Sequence, residues 1–261
     1  MIDVLVAGAA GRMGREVVKA VTAAEGMRVV AAVDTGRTPQ TVEDGAGGTI
    51  ECRADLAGAI AETRPAVMVD FTHPDAVEAN LRIALAAGVD SLVGTTGLPE
   101  GMAEELVALA PDGTCLFLVP NFAIGAVLMM RFAEQAARYM PHVEIIELHH
   151  DRKADAPSGT ALRTAAMIAA ARPEVPASPG RESELSSGAR GASVDDIYIH
   201  SVRLPGLTAH QEVLFGGQGQ TLSIRHDTID RSSFMPGVVL ALSKIGEFSG
   251  LVVGLETALE D

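Results

Sequence analysis

The sequence predicts an α/β fold: a Rossmann-like doubly wound parallel sheet, joined to a second α+β domain with a mixed sheet. Three observations predict it. Short apolar runs alternate with helical periods through residues 1–120, and the strands end at small-residue turns. A glycine-rich turn, Gly8-Ala9-Ala10-Gly11-Arg12-Met13-Gly14, stands between the first strand and the first helix. Beyond Asn121 the pattern changes to consecutive strand-like segments with short turns, which suits a mixed or antiparallel sheet.

The elements follow in order. Residues 2–7 (Ile2, Val4, Leu5, Val6) form a buried strand, and a helix runs on from the glycine turn to about Ala24. Arg28 to Val33 is the second strand and ends at Asp34. Ala66 to Phe71 is the third, with Pro74 to Ala87 as its helix. Val89 to Val93 leads into Gly94-Thr95-Thr96-Gly97, and another helical segment precedes the strand Thr114 to Val119. In the second half, a long helix is expected over Ala126–Met140, a strand over Val143–His149 and a helix from Ser158 to about Ala171. Ala171 to Gly191 is rich in Pro, Gly and Ser and is expected as a long loop. Ile197–Arg203, Thr208–Phe215 and Gln220–Arg225 are strand-like, separated by Leu204-Pro205-Gly206 and Gly216-Gly217-Gln218-Gly219. The apolar tail, Phe234 to Glu260, is expected to be largely helical with a break near Gly250. The expected division is a dinucleotide-binding domain over 1–120, a substrate-binding and oligomerisation domain over 121–229, and C-terminal helices over 230–261 that return to the first domain for a packing partner.

Composition narrows the function. The 261 residues suffice for one large core or two ordinary domains. With 48% hydrophobic and 21% charged residues the chain suits a soluble globular protein, and the longest apolar helical pattern, near Val127–Met130, is interrupted by Arg131. The first strand begins at Ile2, leaving no room for a signal peptide, and Cys52 and Cys115 form neither a disulfide framework nor a metal-ligand spacing; a cytoplasmic enzyme is expected. A net charge of −14 disfavours nucleic acid and, for an anionic ligand, demands a local concentration of cations.

That concentration lies in Glu147-Leu148-His149-His150-Asp151-Arg152-Lys153-Ala154-Asp155-Ala156-Pro157-Ser158-Gly159-Thr160-Ala161. Imidazole nitrogens supply proton transfer and an ammonium neutralises developing negative charge. The Ser158-Gly159-Thr160 turn offers helix N-terminal N–H groups to a carboxylate. The two adjacent rings can point in different directions, and one of them can be structural. Two neighbouring histidines without a third ligand at a familiar spacing disfavour a metal. In the first domain, Gly8 suits a tight turn, Gly11 close phosphate approach and Gly14 helix packing, although the GxxGxxG spacing also fits a plain strand–helix turn. Asp34, placed at the end of the second strand to accept ribose hydroxyls, strengthens the dinucleotide assignment. Arg37 is near enough in sequence to compensate a 2′-phosphate. Gly94–Gly97 ends a strand where such sheets bind ligands, and His73 is expected as a polar loop residue rather than a catalytic one.

Taken together, these residues resemble the dihydrodipicolinate reductase family over nearly the whole length. The resemblance runs through Val6–Arg15, Val69–Thr72, Val93–Gly97, Pro120–Gly125, Glu147–Ala161, His200–Gly206 and Arg225–Asp227. It implies NAD(P)H-dependent reduction of 4-hydroxy-tetrahydrodipicolinate, a small dicarboxylate, in diaminopimelate and lysine biosynthesis. It also implies a homotetramer formed through the second domain's sheet, with no metal and no nucleic-acid or membrane partner. The catalytic residues implied are His149 as proton donor and Lys153 assisting protonation, with His150, Ser158, Gly159 and Thr160 binding substrate. The cofactor residues implied are Gly8, Ala9, Ala10, Gly11, Arg12, Met13, Asp34, Gly94, Thr95, Thr96, Val119, Pro120, Asn121 and Phe122. Thr35 stands where family members that use NADPH well often carry a basic residue, so NADH is the expected preference, with NADPH usable. Another NAD(P)-dependent reductase of a small imine and a non-catalytic dinucleotide sensor are the alternatives; the intact His149, Lys153 and Ser-Gly-Thr set disfavours the sensor.

Overall fold

The structure, a computed structural model, describes residues 1–36, 40–177 and 183–259; Arg37, residues 178–182 of the expected loop and Glu260 lie outside these. It divides into two compact units, Met1–Ala123 with the chain from Phe234 onward, and Ile124–Ser233. The divisions thus fall at Ile124 and Phe234 rather than at residues 121 and 230.

The first unit is a doubly wound sheet. Its central strands β1 (Ile2–Ala7), β2 (Met27–Val33), β5 (Val67–Asp70), β6 (Asp90–Val93) and β7 (Cys115–Leu118) are parallel. Val4, Leu5 and Val6 are all fully buried, as a strand covered on both faces requires. Helix α1 (Arg12–Ala23) buries Gly14, Val17, Val18 and Val21, an i, i+3, i+4, i+7 stripe. Helices α2 (Leu56–Thr63), α3 (Pro74–Ala86) and α4 (Met102–Ala108) follow the same alternation. Asp55 caps α2 by accepting from the Gly58 amide at 3.1 Å. His73 proves to be the N-cap of α3, its Nδ1 accepting from Asp75 N at 3.4 Å.

The sequence shows no clear pattern between Asp34 and Ala66, yet the structure places a hairpin there, β3 (Thr41–Glu43) and β4 (Thr49–Arg53), before α2. These strands are short and mostly exposed, with too few apolar positions to register as alternation. The hairpin is held at its turn by Asp44, which accepts from Ala46 N and Gly48 N, both at 2.8 Å.

The tail is a second correction. After helix α7 (Met235–Lys244), the segment expected to be helical becomes a strand, β13 (Gly250–Val253), parallel to β7 at the sheet edge. The helix ends at Lys244 and a short 3-10 turn carries the chain to an extended Phe248; Gly250 at φ +72° then turns it into the Leu-Val-Val that suits a strand. The finished order is β13-β7-β6-β5-β1-β2-β4-β3, and the winding direction reverses between β1 and β5.

The second unit is a five-stranded mixed sheet, β12-β11-β8-β10-β9, with two helices. Its elements are α5 (Ile124–Ala137), β8 (His142–His149), α6 (Gly159–Ala171), β9 (Ala192–Val194), β10 (Ile197–Arg203), β11 (Ala209–Gly217) and β12 (Gln220–Thr228). Central β8 runs parallel to β10 and antiparallel to β11. One face of the sheet buries Ile145, Ile197, Ile199, Val213 and Phe215, while Glu144, Ile146, Leu148, Tyr198, His200 and Leu214 alternate onto the other and stay half-buried. The short strand β9 lies just past the expected loop, too brief to carry a periodic signal.

Within the first unit, helix α7 packs closely: a Cβ on Gly237 would stand 2.0 Å from the backbone oxygen of Phe122. Gly237→Ala should therefore cost about 1–3 kcal/mol, the usual penalty of overpacking. Urea unfolding checks this; an unchanged midpoint would mean that the tail does not pack there.

Candidate active site

In the first unit, the carboxyl ends of five adjacent strands bring the expected cofactor residues to one edge. After β1, Gly8 takes φ +78°, and a Cβ there would lie 2.4 Å from the Phe71 backbone oxygen. A Cβ at Gly14 would lie 2.1 Å from the Gly8 oxygen, so α1 starts hard against the turn. Gly11 is the N-cap and makes no side-chain cap hydrogen bond, which leaves the first-turn amides of Arg12 and Met13 for an anion. Asp34 ties the end of β2 to this turn: its carboxylate accepts from Ala10 N at 3.1 Å and from Gly36 N at 2.9 Å. An uncapped helix start beside a strand-end carboxylate is the arrangement that the sequence predicts at this edge of the sheet.

Beyond β5 and β6, Asp70 organises the neighbouring loops. Its carboxylate is fully buried. It accepts from Thr72 Oγ1 and Thr95 Oγ1, each at 2.7 Å, from Thr72 N at 3.0 Å and from Asn80 Nδ2 at 2.9 Å. Thr95 is thus held directly, between Gly94 and Thr96. Val119 continues the sheet edge by donating to Val93 O at 2.9 Å, and after Pro120 the Asn121 side chain accepts from Ala123 N at 2.9 Å. The Phe122 ring packs 5.4 Å from that of Phe71, centroid to centroid.

In the second unit the chemistry gathers at the end of β8. Glu147 is fully buried. Its Oε2 accepts from His149 Nδ1 at 2.6 Å and from Arg203 at 2.8 Å; its Oε1 accepts from Arg203 at 2.7 Å and from the Ser158 amide at 3.2 Å. Ser158 in turn caps α6, accepting from Ala161 N at 3.2 Å. Gly159 and Thr160 form the first turn of α6, where a Cβ on Gly159 would meet nothing within 4 Å. Lys153 pairs with both carboxylate oxygens of Asp155 at 2.8 Å, and Arg203 also donates to the Asp155 backbone oxygen at 2.7 Å. His150 leaves Nδ1 buried with no hydrogen-bond partner among the described residues. The two histidines therefore differ, one anchored and one with an unmet polar atom.

Electrostatics follow from burial and pairing. Burial alone would push the Glu147 carboxyl up, but hydrogen bonds from Arg203, Ser201 and His149 outweigh it and hold the carboxyl below its ordinary value. For His149, burial lowers the pKa and outweighs the opposing pull of Glu147, with Lys153 and Arg203 adding to the lowering. Asp155 is lowered by its hydrogen bond from Lys153. This pair is largely exposed at Asp155 (61%), so it is worth little and an incoming carboxylate can compete for Lys153.

The sequence singled out His149 and Lys153 but assigned no role to Glu147, Arg203 or Asp70. Glu147 carried a signal, a carboxylate two residues from Ile145 on the inward face of a buried strand. Arg203 carried none, because the parallel pairing that sets it beside His149 is tertiary. A cavity of about 690 Å³, lined by residues including His142, Glu144, Arg190 and Phe215, contains none of these site residues. Among the described residues, no group of three or more His, Cys, Asp or Glu could hold a metal, and no helix is long and apolar enough to cross a membrane.

Fold and site together define a two-unit, NAD(P)H-dependent reductase. Comparison with known proteins makes this particular. Residues 2–122 match the family model for the N-terminus of dihydrodipicolinate reductase, and residues 125–259 match that for its C-terminus. The 4-hydroxy-tetrahydrodipicolinate reductase of Syntrophomonas wolfei is 52% identical over 260 residues, covering 98% of both chains. That of Desulfitobacterium hafniense is 52% identical over 265 residues, covering 99% of both. A dipicolinate-bound dihydrodipicolinate reductase from Paenisporosarcina sp. TG-14 superposes with a TM-score of 0.86 at 43% identity, covering 98% of this chain and 99% of that one. The chain belongs to the dihydrodipicolinate reductase family.

Proposed function

We propose that this protein reduces dihydrodipicolinate, formed by dehydration of 4-hydroxy-tetrahydrodipicolinate, to tetrahydrodipicolinate in the route to diaminopimelate and lysine. The observation that carries this is the His149 ring at the end of β8, anchored through Nδ1 to buried Glu147, in the unit that also holds Lys153 and the Ser158-capped start of α6. When bound, NAD(P)H supplies a hydride to C4 of the conjugated ring imine. This chain's residues handle the charge and the proton. With Nδ1 committed to Glu147, His149 has Nε2 left to deliver a proton when the ring is cationic. Lys153 assists protonation and gives a dianionic substrate a counter-charge within a protein of net charge −14. Ser158, Gly159 and Thr160 offer the α6 start to a carboxylate, and the buried unpartnered Nδ1 of His150 supports its role as a further substrate contact. The cofactor falls to Gly8–Met13, Asp34, Gly94–Thr96 and Val119–Phe122.

Self-association as a homotetramer is part of the same proposal. The half-buried sheet face carries Ile146, Leu148, Tyr198 and Leu214 beside ion pairs of Glu144 with His200 and of Glu212 with Arg225, a surface suited to a second copy. Sedimentation velocity at micromolar concentration should show a tetramer, and monomer alone would sink this.

The cofactor preference proposed is NADH. Asp34 can accept ribose hydroxyls but repels a 2′-phosphate, and Thr35 brings no cation. Titration with both reduced cofactors should show NADH binding more tightly; a ten-fold advantage for NADPH, about 1.4 kcal/mol, would contradict the role given to Asp34.

Purified protein given NADH and freshly generated substrate should consume reduced-cofactor absorbance. His149→Ala and Lys153→Ala should each lower kcat by about 10²–10⁴-fold while leaving NADH affinity nearly unchanged, since the residues assigned to the cofactor belong to the other unit. Lys153→Ala should also raise KM for substrate. Turnover of both variants within about three-fold of wild type would remove the proton-transfer roles.

A further inference from the structure

We infer that Glu147 is a positioning residue for this reaction: its buried carboxylate fixes the Nδ1–H tautomer of His149, reserves Nε2 for the substrate and ties the proton donor to the turn that opens α6. The inference rests on His149 being the proton donor.

The Glu147 carboxylate is engaged by several donors at once, the Ser201 side chain among them. Oε2 takes His149 Nδ1 at 2.6 Å and one Arg203 nitrogen at 2.8 Å; Oε1 takes the other Arg203 nitrogen at 2.7 Å and the Ser158 amide at 3.2 Å. An ionised carboxylate only accepts, so the proton of the His149–Glu147 bond sits on Nδ1. In the neutral ring Nε2 is then the basic nitrogen, the one that gains and gives the catalytic proton. The same carboxylate reaches the substrate-binding turn through Ser158, whose hydroxyl caps α6. Arg203 extends the brace to the Asp155 backbone oxygen, two residues after Lys153. One buried group thereby holds the proton donor, the Lys153–Asp155 loop and the α6 start in register.

The charges around His149 give this a pH signature. Glu147 faces it from its own strand, Arg203 from β10, and Lys153 from the loop, where Asp155 engages that ammonium; on β11 the residue opposite is the uncharged Ala209. Of these groups the carboxylate of Glu147 favours the imidazolium, whereas burial, Lys153 and Arg203 oppose it. Removing the negative charge must therefore lower the His149 pKa further. A general acid loses activity as pH rises through its pKa, so the basic limb of the rate profile moves to lower pH.

The test is Glu147→Gln assayed across pH beside His149→Ala. The expected result is a kcat reduced about 10- to 100-fold at pH 7, with the basic limb of kcat/KM displaced about one pH unit towards acid and NADH affinity within about two-fold of wild type. A loss of kcat uniform across pH, or no loss, overturns the positioning role. If Glu147→Gln does not fold, nitrogen-15 shifts of the wild-type His149 ring, assigned by their absence in His149→Ala, decide the matter. Protonation at Nδ1 above the ring's pKa supports the inference, and protonation at Nε2 overturns it. An active His149→Ala instead removes the proton-donor assignment itself, a distinct failure.

Discussion

A carboxylate buried in the middle of a sheet must be paired, and much of the second unit is arranged around that requirement. Leaving Glu147 without a partner would cost several kcal/mol. The parallel neighbour β10 answers it with the Arg203 fork, β8 with the His149 ring and the α6 turn with the Ser158 amide. Each partner is a part of the site or adjoins one. The electrostatic need of one buried group therefore sets the geometry of the His149 ring and of the start of α6 together.

The first unit uses the same device at a different place. Asp70, also fully buried, gathers Thr72, Thr95 and Asn80 at the ends of β5 and β6, the loops that border the expected nicotinamide position. Its partners are hydroxyls and an amide, with no cation among the hydrogen bonds it accepts. Polar donors satisfy its oxygens without placing a positive side chain at that edge. Asp34 plays a more exposed part, stitching the glycine turn to β2 through the Ala10 amide.

Charge is handled locally in a chain of net −14. The cations near the site are not idle: Arg203 is committed to Glu147 and Lys153 to Asp155. The commitments differ in kind. Arg203 grips a buried carboxylate in two places, whereas Lys153 holds a largely exposed one. A buried and an exposed ion pair thus stand close together at the end of β8.

The sequence by itself determined the alternation of strand and helix, the glycine turn, Asp34 at the end of β2 and the His149–Thr160 run, because these signals are local: periodicity, turn chemistry and spacing within one segment. It missed the β3–β4 hairpin, whose exposed strands are too short for alternation, and took β13 for helix, because Gly250 and three apolar residues do not reveal that an open sheet edge awaits them. It also gave Glu147 and Arg203 no role. Only the tertiary structure decided that β10 lies parallel to β8, setting Arg203 opposite His149. Register between distant strands comes from packing the whole sheet, and Arg203, 56 positions from Glu147, becomes a partner of its carboxylate only once that sheet is assembled.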